Sequence, residues 1–230
     1  MKKIKISSEL VYVLATFLLS LAVSMHTAAD FGLSMIVSPA FLISVKTEVL
    51  TFGQAEYILQ GALFIVLCIS LKRFKPIYLF SFFSGFFYGT VLDLWRLVIP
   101  HFNPNLTTPQ DINIYIRIIY FIVGLLLTTL SIAMFFRCYI YPQVYDFFVK
   151  AISERYNLKI KSVKLINDIT FLVVSVVLSL IFFNKLVGVG IGTFIAAFLN
   201  GFLINSFGNL IDKIFIIEPK FKKLSNKMSV

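Results

Sequence analysis

The sequence has few of the residues from which catalytic and metal sites are built. It contains only 11 Asp and Glu, two His, two Cys and one Trp. Cys68 and Cys138 form no CxxC pair and have no His beside them, so we expect neither a metal site nor a structural disulfide. The chain also lacks HExxH, Walker and Ser-His-Asp patterns. These absences predict that the protein is not an enzyme and uses no cofactor.

Most of the sequence consists of long apolar runs. The chain is 59% hydrophobic with a mean hydropathy of +0.91, too apolar for one soluble core of 230 residues. Continuous apolar stretches of about 20 residues fit helices that cross a bilayer, whereas membrane strands alternate. The sequence therefore predicts one all-α integral membrane domain over 1–230, with six spans at about 8–28, 54–71, 77–97, 114–136, 164–184 and 187–208.

The N-terminus also resembles a signal peptide. It has a basic start, an apolar run and the small residues Thr27, Ala28 and Ala29 where cleavage could occur. The run is long for a signal sequence, and its removal would leave five spans. We therefore favour a retained first helix.

Positive charge is distributed unevenly over the segments between the spans. Seventeen Lys and Arg residues fall in the N-terminus, the second and fourth loops and the basic tail 209–230, against four elsewhere: Lys46, Arg96, Arg117 and Lys185. This bias predicts a cell-membrane protein with both termini in the cytoplasm. The basic residues are scattered and carry no binding motif, so the predicted partner is the lipid bilayer and not a nucleic acid.

The hydrophobic pattern repeats. The segment 76–95 matches 186–207, with paired features in order: Pro39 and Pro142, Gln60 and Asn167, Ser81 and Thr193, Gly89 and Gly201. We predict repeat 1 at about 8–97 and repeat 2 at about 114–208. Because each holds three spans, the copies must be inverted in the membrane, which is typical of transporters. A duplicated, purely structural bundle is the alternative.

Two loops have unusual compositions. The segment 30–53 is too apolar for an exposed loop, and its counterpart 138–162 is typical of an interfacial helix with Tyr near the headgroups. The first could enter the bundle as a short broken helix. Alternatively, both could be amphipathic linkers lying flat on opposite surfaces.

Several of these stretches resemble a known family. GLSMIVSPAFLISV and FGQAEYILQGALF are similar to the first half of the YczE/YyaS/YitT-like bacterial integral membrane proteins, and YPQVYDFFV with VGVGIGT to the second. The resemblance implies a plasma-membrane protein of about six helices without an assigned reaction. Members often have an acidic residue soon after each loop proline, but Ala40 and Phe41 follow Pro39 here, and the nearest acid after Pro142 is Asp146.

Polar residues within apolar spans are the candidates for function, because they are costly in a membrane. Asp93 could bind a cation or proton, or pair with Arg96 or Arg117. Asp168 could gate the inner mouth or be a solvated residue beside Lys164. The full set comprises a substrate site (Gln60, Asp93, Asn167, Asn200, Asn205), gating or coupling residues (His26, Asp30, Asp168) and helix-packing glycines (Gly89, Gly192, Gly201).

His26 and Asp30 are four residues apart and share a helix face, so they could relay protons. A lone interfacial His is the alternative. The GxGxG stretch beginning at Gly188 follows no strand, which excludes a dinucleotide site and favours close helix packing.

Two classes of function fit the sequence. The first is a small secondary transporter or exporter whose solute binds between spans 3 and 6. The second is a membrane subunit or scaffold that binds a partner protein, or a second copy of the chain, through the tail or the loop 138–162. The duplicated glycines and amides favour the transporter.

Overall fold

The computed structural model describes residues 3–228, so Lys2 and positions 229–230 of the predicted tail lie outside the described residues. Within this range the chain forms two short strands, β1 (Ile4–Ser7) and β2 (Phe215–Glu218). Its helices are α1 (Ser8–Ala29), α2 (Ser38–Thr47), α3 (Phe52–Leu71), α4 (Leu79–Val98), α5 (Ile114–Phe135), α6 (Val144–Arg155), α7 (Ile160–Phe183), α8 (Ile191–Ile214) and α9 (Lys222–Met228).

Six of these helices are long and apolar enough to cross a membrane: α1, α3, α4, α5, α7 and α8. The prediction of an all-α protein with six spans is thereby confirmed. Polar caps begin several of them, as at Ser7, Thr51 and Asn113, whose side chains accept a hydrogen bond from the first turn.

The predicted bounds of the last two spans are wrong by more than three residues. The fifth helix begins at Ile160, and the sixth runs from Ile191 to Ile214. The residues before Ile191 cannot join the helix because Gly188 has φ +70° and its carbonyl oxygen accepts a hydrogen bond from Leu33 N. Apolar sequence thus continues through a segment whose backbone is not helical.

Both described ends of the chain lie at one end of the bundle. β1 pairs in parallel with β2, so the start of α1 adjoins the end of α8. Lys5 forms an ion pair with Glu218 there, and Arg137 at the end of α5 binds Asp212 of α8 through two hydrogen bonds of 2.6 and 2.5 Å. We call this the terminal end of the bundle, and the other the opposite end.

Contacts between helices recur in the two halves of the chain. α1 packs along α5, α4 packs on α1, and α8 packs on α5. Likewise α2 packs on α3 and α7, and α6 packs on α7 and α3. However, α3 also packs on α4, whereas no comparable contact joins α7 to α8 in the described chain, so the predicted duplication stays a prediction. Because α4 packs on α1 and α8 packs on α5, no extensive contact joins α4 to α8 in the described chain, and the predicted site between spans 3 and 6 stays a prediction.

The predicted packing glycines have different surroundings. Gly89 of α4 crosses Gly53 of α3 so closely that a Cβ at Gly89 would lie 2.6 Å from Gly53 O. A Cβ on Gly192 would lie 2.5 Å from the Phe121 ring. Gly201 is exposed and would meet no atom within 4 Å, so the expectation that it packs against another helix is wrong within the described chain.

Replacing the crossing glycine should destabilise the fold. In Gly89→Ala the added methyl group collides with the backbone of α3, and we expect a loss of about 1–3 kcal/mol. Thermal unfolding of the detergent-purified protein measures it. The control Gly201→Ala should be neutral or slightly stabilising because Ala favours helix; equal melting temperatures for the two variants would contradict the close crossing.

Thiol labelling tests the orientation of the bundle. In a background with Cys68→Ala and Cys138→Ala, we expect Pro104→Cys, in the exposed loop after α4, to react with an impermeant reagent in intact cells. Lys159→Cys, between α6 and α7, should react only after permeabilisation. The reverse pattern would show that the termini face outward.

Candidate functional site

The helix α6 begins inside the bundle. After α5 ends, the chain passes the first turns of α1, where Tyr139 N donates to Ser8 Oγ (3.3 Å) and Tyr12 Oη donates to Tyr141 O (3.4 Å). Val144 N then donates to Gln60 Oε1 (3.3 Å), near the middle of α3. The helix returns to the terminal end, where Tyr156 Oη donates to Ser70 O (2.6 Å). The expected interfacial helix therefore starts deep in the protein.

The helix α2 has the same arrangement in the opposite direction. From the opposite end the chain enters as non-helical backbone, whose Leu33 and Met35 carbonyl oxygens accept hydrogen bonds from Thr193 Oγ1 (2.7 Å) and Ser175 Oγ (3.5 Å). α2 then returns to the opposite end, where Lys46 Nζ donates to Phe182 O. The segment 30–53 therefore enters the bundle as a short broken helix, which is one of the two alternatives that its sequence left open. We call α2 and α6 the half-helices.

The N-termini of the two half-helices meet along α7. Met35 precedes α2 and contacts Ser175, while Tyr145 of α6 packs its ring edge-on against Phe171 at 5.5 Å between centroids. Phe171 and Ser175 are one helical turn apart, a rise of about 6 Å. The positive ends of two helix dipoles therefore point into the same region of the bundle.

A buried carboxyl group occupies this region. Glu56 of α3 is fully buried, and its Oε2 accepts hydrogen bonds from Tyr145 Oη (3.0 Å) and Gln60 Nε2 (3.4 Å). Gln60 Nε2 also donates to Gln143 Oε1 (3.1 Å), just before α6. We call Glu56, Gln60, Tyr88, Gln143 and Tyr145 the Glu56 cluster.

The Glu56 cluster has unused hydrogen-bonding capacity. Glu56 Oε1, Tyr88 Oη and Gln143 Nε2 are buried without a hydrogen-bond partner in the described chain, as is Ser38 Oγ at the start of α2. No Lys or Arg among the described residues forms an ion pair with Glu56. Burial and the nearby Glu56 raise the pKa of Tyr145 well above its usual range, so its phenol remains a hydrogen-bond donor.

Small residues and apolar clusters enclose these polar groups. A Cβ on Gly85 of α4 would collide with the Gln60 amide, so this glycine provides its space. Phe52, Leu92, Leu33 and other apolar residues pack together towards the opposite end. Towards the terminal end, apolar residues of α3, α6, α9 and the segment before α6 form a second cluster: Leu67, Leu71, Tyr141, Phe147, Ala151 and Met228.

Two of the predicted substrate residues lie at or near the cluster. Gln60 belongs to it, and Asn167 is buried one turn before Phe171 on α7 with its Nδ2 unpartnered. Asp93 instead caps α3, because its carboxylate accepts hydrogen bonds from Thr51 Oγ1 (2.5 Å) and Gly53 N (2.8 Å). Asp93 also interacts electrostatically with Arg96, one of its two expected partners, while its predicted role in binding a cation or proton stays a prediction.

The other two predicted substrate residues are elsewhere. Asn200 and Asn205 belong to α8, which packs on α5 and not on α3 or α6. Asn205 is exposed, whereas Asn200 is half-buried with its Oδ1 unpartnered. The structure therefore does not bring the five predicted residues together.

The predicted coupling residues are also separate. His26 packs edge-on against Phe121, while the Asp30 carboxylate pairs with Arg117 at 3.5 Å, so no His–Asp relay forms. Burial raises the pKa of Asp30, although Arg117 and Lys185 oppose the shift. Asp168 pairs with Lys164 (3.3 Å), as the solvated alternative expected.

Sequence reasoning missed Glu56. It is the only acidic residue in the apolar run of α3, and an ionisable residue within a span is a functional candidate by default. Glu56 is the fifth residue of α3, a position at which a charged side chain near the end of a helix can also be solvated. Its complete burial and its hydrogen bond from Tyr145 Oη show otherwise.

Comparison with known proteins identifies a family but no function. A family model described as a family of unknown function (DUF6198) matches residues 6–209. No curated protein and no solved structure matches the chain. The resemblance to YczE/YyaS/YitT-like proteins stays a prediction.

Removing the Gln60 amide should loosen α6. Gln60→Leu leaves Val144 N and Gln143 Oε1 without their partner, and we expect a loss of about 1–3 kcal/mol. Hydrogen exchange of 138–156 should quicken, which mass spectrometry can measure. Gln110→Leu, in an exposed loop, is the control; unchanged exchange in 138–156 for Gln60→Leu would contradict this docking.

Proposed function

We propose that the chain, which belongs to DUF6198, a family of unknown function, is a small secondary transporter or exporter of the cell membrane. The observation that carries the proposal is the meeting of two oppositely directed half-helices beside a buried carboxyl. Transporters commonly bind substrates where interrupted helices end near the middle of the bilayer, in an inverted duplication. The site of the proposal is the Glu56 cluster, in place of the region between spans 3 and 6.

The cost of this arrangement supports a function beyond structure. A carboxyl, two phenols and two amides in an apolar bundle are expensive unless every group is satisfied. Several of them have no partner in the described chain. A bound solute with hydrogen-bonding groups would supply partners, whereas a scaffold would have no use for the unpartnered oxygens of Glu56 and Tyr88.

The two apolar clusters suggest how the site opens. The one towards the opposite end includes residues of α2, and the one towards the terminal end includes residues of α6. In the proposed cycle, movement of α2 exposes the Glu56 cluster to one side and movement of α6 exposes it to the other. Because the half-helices are short and non-helical backbone precedes each of them, they are the elements that can move without unfolding a span.

The solute that fits is small, neutral or weakly charged, and able to accept and donate hydrogen bonds. In the proposed mechanism Tyr145 and Gln60 orient it, and Glu56 takes up a proton on one side and releases it on the other. A single carboxyl without a cationic partner suits the movement of one proton with each solute. The proposal places both termini in the cytoplasm, in accordance with the distribution of Lys and Arg.

Proteoliposomes test this function. Vesicles loaded with a pH-sensitive dye and challenged with a panel of small polar and amphipathic compounds should show a change in internal pH with at least one of them. Glu56→Gln keeps the shape of the side chain but cannot release a proton, so we expect the coupled signal to fall to the level of empty vesicles.

The exposed Glu48→Gln is the matched control and should retain the signal. Equal signals in both variants would exclude Glu56 as the coupling group. If no compound gives flux in the wild-type protein, and it instead co-purifies with one membrane protein, the scaffold function replaces transport.

A further inference from the structure

A basic pocket of about 490 Å³ lies at the terminal end of the bundle, apart from the Glu56 cluster. It opens between the end of α3, the turn that follows and the C-terminal half of α6. Its apolar wall includes Leu71, Phe147 and Ala151, and three cationic side chains surround it: Lys72, Arg73 and Arg155. The pocket thus combines an apolar wall with a cationic rim.

No acidic side chain among the described residues neutralises the charges of Lys72, Arg73 and Arg155. They are exposed, and none of them forms an ion pair within residues 3–228. Glu154, the one acidic residue of the pocket, pairs with Lys150 at 3.9 Å. The bias of positive charge towards one face explains basic residues at this end, but not the grouping of three around a single cavity.

We propose that this pocket binds the phosphate headgroup of an anionic phospholipid. Leu71 is the last residue of a helix long enough to span the bilayer, so the pocket lies at the level of the headgroups. Arg73 and Arg155 supply the charged donors that phosphate oxygens accept, and the apolar wall suits the start of an acyl chain. A free phosphate ion would leave that wall unused.

The bound lipid would join the movable half-helix α6 to the end of α3. Phe147, Ala151 and Arg155 belong to the half-helix α6, whereas Lys72 and Arg73 follow α3. A headgroup between them holds the end of α6 against α3. This binding does not depend on the protein being a transporter.

Native mass spectrometry of the detergent-purified protein tests the pocket with phosphatidylglycerol and phosphatidylcholine as probes. The double variant Arg73→Gln with Arg155→Gln should bind phosphatidylglycerol about tenfold or more weakly than the wild type, since each basic residue contributes to headgroup binding. The control, Lys161→Gln with Lys223→Gln, removes the same charge outside the pocket and should bind as the wild type does.

A thermal-shift measurement without added lipid checks that both double variants fold as the wild type does. A second measurement with inorganic phosphate shows whether the pocket binds a free phosphate ion or the phosphate of a lipid headgroup. Equal affinity of the two double variants for phosphatidylglycerol would overturn the site. So would equal binding of phosphatidylcholine and phosphatidylglycerol by the wild type. Stabilisation by free phosphate that depends on Arg73, without lipid binding, would overturn the assignment to a lipid.

Discussion

Non-helical backbone inside an apolar bundle must find hydrogen-bond partners within the protein, and this structure depends on that constraint. Two segments enter the bundle as non-helical chain before α2 and α6, and side chains of the spans bind both. Gln60 accepts from Val144 N, and Ser175 donates to the Met35 carbonyl. Without those two side chains the entering backbone would have fewer partners, and the half-helices would be held less firmly.

The same constraint brings polar chemistry into the middle of the bundle. Gln60 is held there to bind backbone, and it places its amide beside Glu56. Tyr145, which enters with α6, donates to the same carboxyl. The residues that bind the entering backbone are therefore also residues of the candidate binding site. The proposal of transport depends on the groups that remain unpartnered after the backbone has been satisfied, such as Glu56 Oε1 and Tyr88 Oη.

Rigid and movable elements occupy different parts of the fold. α3 and α4 cross at Gly53 and Gly89, where the absence of side chains lets the two backbones come into contact. The Asp93 carboxylate fixes the start of α3. By contrast, α2 and α6 are short, and side-chain hydrogen bonds with Gln60 and Ser175 help to hold the backbone at their inner ends. Local stability follows the density of such contacts. The half-helices are therefore the elements with the freedom to open the Glu56 cluster, while α3 keeps its carboxyl in place.

The sequence by itself determined the class of the protein, because the lengths of its apolar runs show how many helices can cross a bilayer. It also marked the positions of both half-helices, since Pro39 and Pro142 lie at or just before their first turns. Only the tertiary structure decided which polar residues meet. A span that is apolar on nearly every face gives no amphipathic signal for the side that packs inward. The sequence could thus pair Gln60 with Asn200 across the bundle, whereas packing separated α3 from α8 and placed Gln60 beside Glu56 and α6.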